Sequence, residues 1–115
     1  MYHGWADPVV PAEDSIHYYE SVEIDLGVSP DNFMRLFLVS GMYHCGGGPG
    51  ANLFDPLDVI DRWVVTGVAP QSILASHRAN AERDSTRPLC PYPQRAVPTG
   101  HGNPDEAASF SCSAP

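Results

Sequence analysis

The sequence predicts an α/β arrangement that is incomplete as a domain, and three observations carry the prediction. Two helix signatures, over residues 12–26 and 55–67, alternate with a short, mostly apolar run over residues 33–39. The first residues read as the end of a further strand. One full strand and the end of another make too little sheet to be stable alone. The expected content is therefore one to two sheet strands, flanking helices and a proline-rich tail.

The elements follow in order. Tyr2-His3-Gly4-Trp5 looks like a strand end running into a loop, and Asp7-Pro8 is a turn signal. A helix is expected from Ala12 to about Leu26. Glu13 and Asp14 complement the dipole of its first turn, Ile16, Tyr19 and Val22 give a patchy apolar face, and Gly27 stops it. The run from Phe33 to Val39 follows Pro30-Asp31-Asn32, and its length and bounding turns favour a strand buried on both faces. Ser40 to Ala51 is a glycine-rich loop. The next helix has the clearest signals: Asp55 as N-cap, Pro56 at the first helical position and Gly67 as the stop. Leu57, Ile60, Trp63 and Val64 mark its expected apolar face. A last regular stretch covers Ser72 to Ala75. Residues 87–115 hold six of the twelve prolines and show little periodicity, so they read as an extended tail of the domain formed by residues 1–86.

Composition narrows the function classes. Hydrophobic residues make up 43% of the 115, ordinary for a globular chain, so wholesale disorder is not expected. There is no lysine. Six arginines face fourteen acids, for a formal charge of −8, which disfavours nucleic acid and anionic membrane surfaces as partners. No apolar stretch approaches the ~20 residues of a membrane span. The opening residues lack the basic and apolar regions of a signal peptide. Three cysteines, Cys45, Cys90 and Cys112, are an odd count. In a reducing compartment that means little; in an oxidising one it means one pair and one cysteine whose partner lies elsewhere.

Gly46-Gly47-Gly48-Pro49-Gly50 follows a strand and precedes a helix, as phosphate-binding loops do. A Walker-type loop needs a lysine, and the dinucleotide spacing meets Pro49 and Ala51 where it needs glycine, so close backbone passage is the better reading. Cysteine pairs with zinc spacing are absent, so no metal or cofactor is expected in this chain. Acid–base chemistry remains. Asp7 ends one strand and His44 follows the next, thirty-seven residues on. Neighbouring parallel strands end side by side, so the two side chains can meet, with the carboxylate fixing the imidazole tautomer. Spacing alone is more often a turn aspartate and a surface or core histidine. The order serine, aspartate, histidine belongs to α/β-hydrolases, whose nucleophile lies upstream.

The wording of these segments resembles the tannase/feruloyl esterase family. The resemblance is carried by Tyr2-His3-Gly4-Trp5-Ala6-Asp7-Pro8, Met42-Tyr43-His44-Cys45-Gly46-Gly47-Gly48-Pro49-Gly50-Ala51-Asn52, Gly67-Val68-Ala69-Pro70 and Arg87-Pro88-Leu89-Cys90-Pro91-Tyr92-Pro93. It runs nearly end to end. It implies the C-terminal portion of an α/β-hydrolase fold, with Asp7 as triad acid and His44 as general base. It implies that Cys90 pairs with Cys112, and that Cys45 pairs with an absent cysteine just before the nucleophilic serine. The serine, the oxyanion donors and a calcium-bearing lid lie upstream in the family. No serine here has an elbow context: Leu38 stands where Ser40 would need glycine. Ser40-Gly41 and Tyr43 also depart from frequent family choices, which alters the loop and not the assignment.

The remaining residues take structural readings. His3 is strand-end packing first and, by its nearness to Asp7, a neighbour of the site second; His17, His77 and His101 are solvated; Trp63 is core; Trp5 is packing first and pocket wall second. The resemblance implies that the parent is a secreted or periplasmic serine esterase cleaving aromatic carboxylic esters, and that this piece alone is inactive. The rival readings are a non-catalytic interaction module and a relative acting on other aromatic monoesters, such as those of terephthalate.

Overall fold

A computed structural model describes residues 1–79 and 82–115. A parallel pair lies at its centre: β1 (Tyr2–Gly4) and β2 (Phe37–Val39) run in register Tyr2 to Phe37, His3 to Leu38 and Gly4 to Val39. Helix α1 (Ala12–Leu26) makes the crossover that a parallel pair requires. Its C-terminus is closed by Gly27 at φ 65°, whose N–H donates to the Glu23 carbonyl, and it buries Ala12 and Tyr19.

The expected strand over 33–39 is shorter than its apolar run. Pro30–Asn32 form a 3-10 turn capped by the Ser29 hydroxyl, and the Phe33 and Met34 N–H groups both donate to the Pro30 carbonyl. Those donors are consumed locally, so the chain joins the sheet only at Phe37. Phe33 is left exposed, against the expectation of burial on both faces. On the other side of β2 the tail returns: the Tyr92 N–H donates to the Leu36 carbonyl at 2.7 Å, and Pro91 bridges Phe37.

Helix α2 (Pro56–Thr66) starts where its signals place it. The Asp55 carboxylate accepts from the Leu57 and Asp58 N–H groups at 3.0 and 3.1 Å, and Gly67 closes the end at φ 70°. Its expected apolar face is corrected: Leu57, Ile60 and Val64 point to solvent. The contact face is instead the i, i+4 pair Val59 and Trp63, with Val59 against the core and the Arg35 guanidinium 5.5 Å from the Trp63 ring. Trp63 is therefore half-buried and not core.

The expectation of one to two strands is also corrected. Strands β3 (Ile73–Ala79) and β4 (Glu82–Leu89) form an antiparallel hairpin, and β5 (Arg95–Pro98) pairs antiparallel with β6 (Phe110–Ser113). The residues 87–115 are thus partly regular. Pro88 lies inside β4 opposite Leu74, as proline can on a strand of a two-stranded ladder. Ile73 and Ala75 turn inward and join Phe37, Val39, Met42, Ala51 and Leu89 in the core. Cys90 and Cys112 form a disulfide with Cα atoms 5.5 Å apart, fastening β6 beside the end of β4. Tyr92 ties the tail to α1, its hydroxyl donating to Glu20 at 2.6 Å. No helix among the described residues is long and apolar enough to cross a membrane.

Candidate active site

β1 ends at Gly4, and the chain turns at once. The Trp5 N–H still donates to the Val39 carbonyl, whereas the Ala6 N–H reaches the Met42 carbonyl and the Asp7 N–H bonds back to Gly4. After β2, residues 40–50 fold back across the same end of the pair. The Tyr43 N–H donates to the Gly47 carbonyl and the Gly50 N–H to that of Gly41. Asn52 staples the glycine run, its amide donating to the Gly48 and Gly50 carbonyls. Close backbone passage, as read from the sequence, holds for Gly48 and Gly50 but not for Gly46 or Gly47: a Cβ on Gly48, already at φ 90°, would overlap the Gly41 carbonyl, and one on Gly50 that of Ser40.

This packing brings Asp7 and His44 together. His44 Nδ1 lies 2.7 Å from Asp7 Oδ2. The other carboxylate oxygen, Oδ1, accepts from the Val9 and Val10 N–H groups at 2.8 and 3.1 Å. The Asp7 side chain is 3% exposed and that of His44 is 54% exposed. Removal from water pushes the Asp7 carboxyl up; the Val9 N–H, the His44 ring and the Val10 N–H outweigh it and hold the group down to about 2. Asp7 is therefore an anion at neutral pH. Its acceptor oxygen requires the neutral His44 ring to carry its proton on Nδ1, which leaves the lone pair on Nε2. Among the described residues no serine hydrogen-bonds that ring.

Cys45, the next residue, is exposed and a free thiol, and its backbone sits at φ 62°. That left-handed conformation is costly for a residue with a Cβ, by roughly 1–2 kcal/mol. Among the described residues no group of three or more metal-ligating side chains gathers.

Several smaller readings need correction. His3 is more than strand-end packing, because its ring reaches the Asp7 carboxylate at 3.3 Å. The only sequence signal was its place four residues before Asp7. His77 is not free in solvent: its Nδ1 pairs with the Asp84 carboxylate at 2.8 Å across the β3–β4 hairpin. Trp5 is half exposed and forms a wall of a cavity of about 780 Å³, shared with Leu38, Gly41, Arg87, Leu89 and Tyr92. Neither Asp7 nor His44 lines that cavity. His17 and His101 are exposed, as expected.

Comparison with known proteins places these features in company. The family described as tannase and feruloyl esterase matches residues 1–113. The chain is 43% identical over its full length to a mono(2-hydroxyethyl) terephthalate hydrolase of Piscinibacter sakaiensis, covering 19% of that protein. It is 37% identical over 96% of its length to feruloyl esterase C of Talaromyces stipitatus, covering 25% of it. The crystal structure of feruloyl esterase B from Aspergillus oryzae superimposes with a TM-score of 0.86 at 28% identity, over 97% of this chain and 26% of that one. The chain thus spans about a quarter or less of the curated relatives it matches.

Proposed function

The chain belongs to the tannase and feruloyl esterase family, and from that premise we propose that it is the acid–base part of a carboxylic ester hydrolase of α/β-hydrolase type. One observation supports this above the rest: the 2.7 Å contact between His44 Nδ1 and Asp7 Oδ2, at the ends of two adjacent parallel strands.

In the proposed mechanism the nucleophile is a serine outside these 115 residues. His44 Nε2 takes the serine proton as Oγ bonds to the acyl carbon, and returns it to the departing alkoxide. His44 then takes a proton from water as its oxygen bonds to the acyl carbon. It gives that proton to the serine Oγ as the acyl C–Oγ bond breaks, releasing the acid and restoring the serine. Throughout, Asp7 holds the ring orientation and stabilises the imidazolium by its charge. Cys45 would bond to a cysteine preceding that serine. Such a bond holds Cα atoms only about 4.4–6.8 Å apart, so it would pin base beside nucleophile. The exposed thiol and its left-handed backbone, next to the base, support this role. The Cys90–Cys112 disulfide supports an oxidising destination, secreted or periplasmic. The calcium implied by the family is assigned to a lid beyond these residues, and no step runs through it.

Aromatic esters are the proposed substrates. Identity to a terephthalate monoester hydrolase as well as to a feruloyl esterase favours a second reading of the acyl group, with the same chemistry. The test is turnover of methyl ferulate and of mono(2-hydroxyethyl) terephthalate. The 115-residue chain should hydrolyse neither. A chimaera with this chain in place of the matching quarter of Talaromyces feruloyl esterase C should hydrolyse at least one. Turnover by the isolated chain would sink the proposal of an external nucleophile.

A further inference from the structure

We propose that the cavity beside Trp5 is a docking socket for the nucleophile-bearing part of the hydrolase, with Arg87 taking a carboxylate from that part. The inference rests on the ester-hydrolase reading above and names the contact that sets the two parts in register.

The socket is the cavity of about 780 Å³ between β2 and the tail, with Trp5, Leu38, Tyr92 and Phe110 among its walls. Two arginines line it, Arg87 and Arg95, and no aspartate or glutamate does. Pro115 also lines it, but its terminal carboxylate forms no ion pair among the described residues.

Arg87 is held ready for a partner. Its Nη1 donates to the Thr86 carbonyl at 2.7 Å, and its guanidinium carbon stands 4.4 Å from the centre of the Phe110 ring. Phe110 opens β6, which the Cys90–Cys112 disulfide fastens in place. The other four N–H donors of Arg87 meet no acceptor among the described residues. This half-buried guanidinium has no anion beside it, although the chain carries a charge of −8. Arg35 and Arg62, by contrast, pair with Asp31 and Asp58. A charge withdrawn from water calls for a partner, and a carboxylate matches the planar fork of arginine.

Location identifies the occupant. Ser40, Gly41, Pro49 and Gly50, from the loop that carries His44 and Cys45, form one rim of the cavity. The polypeptide that brings a nucleophile to His44 therefore passes along that rim. The chain spans about a quarter or less of its curated relatives, so in them far more polypeptide lies outside the matched span than within it. An acidic segment is repelled by the net charge of this chain and attracted at Arg87, which fixes where it docks.

The test is hydrogen exchange, read by mass spectrometry over residues 82–97, in the isolated chain and in the chimaera with Talaromyces feruloyl esterase C. Wild-type protection should be higher in the chimaera. Arg87→Met loses the Thr86 and Phe110 contacts in both settings, so the difference between settings isolates the partner. The fall in protection should be roughly tenfold greater in the chimaera, the weight of one charge-assisted hydrogen bond. Arg87→Lys, which keeps the charge, should recover part of that excess; its own excess decides the matter should Arg87→Met fail to fold. Equal falls in the two settings, or the same excess for both variants, overturn the proposal. Sodium benzoate that raises protection equally in the isolated chain and the chimaera would show an open small-anion site, and overturns it too. Turnover reports separately. An inactive chimaera that keeps the excess sinks the ester-hydrolase reading alone; an active one without the excess sinks the docking alone.

Discussion

Gly4 and Tyr43 touch backbone to backbone: a Cβ placed on Gly4 would overlap the Tyr43 carbonyl oxygen and that of Met42. Gly4 is the last residue of the strand leading to Asp7, and Tyr43 directly precedes His44. The Asp7–His44 distance is thus set by two main chains in contact. Gly4→Ala should cost about 1–3 kcal/mol, the usual penalty of overpacking, because no flexible side chain is there to yield. Urea unfolding measures it, and the same variant in the chimaera should lose turnover. A variant with wild-type stability would show that the loop position is not set here.

Asp7 makes stability depend on pH in a definite direction. Its folded carboxyl is held down to about 2, below the ~3.9 of an unfolded chain. A depressed carboxyl contributes stability that is present above the unfolded value and lost as pH falls through the folded one. The melting-temperature gap between wild type and Asp7→Asn should therefore be steady above about pH 5 and shrink toward pH 2. A gap unchanged across that range would contradict the hydrogen bonding assigned to Asp7.

The Cys90–Cys112 bond closes a loop across 22 positions and holds β6 against the end of β4. Opening it by Cys112→Ser should destabilise the chain by roughly 3 kcal/mol. Guanidinium unfolding checks the size. A midpoint equal to that of the wild type would mean the hairpin of β5 and β6 holds its place unaided.

Much of this was legible in the sequence where local chemistry decides. Helix α2 announced itself through Asp55, Pro56 and Gly67, and α1 through its acidic first turn and Gly27. Asp7 and His44 were legible because each follows a strand of a parallel pair. Strand β4 was not: Glu-Arg-Asp-Ser-Thr-Arg-Pro-Leu has no alternation, because only Leu89 of it is buried. The face of α2 was misjudged because hydrophobic spacing says where apolar residues cluster, and not which side meets the core. The nearness of His3 to Asp7 was legible, but its bond to Ser15 was not, because Ser15 lies twelve residues away on a helix whose rotation no local pattern dictates.

The central claim is that Asp7 and His44 act as one acid–base unit on an external nucleophile. Its most direct measurement is kcat for methyl ferulate and mono(2-hydroxyethyl) terephthalate in the chimaera, with His44→Gln and Asp7→Asn each introduced. Both variants should fold as the parent does; Asp7→Asn should lose roughly 10⁴-fold and His44→Gln roughly 10⁶-fold in kcat, the scale of losing those triad members. A His44→Gln chimaera with parental turnover would contradict the claim.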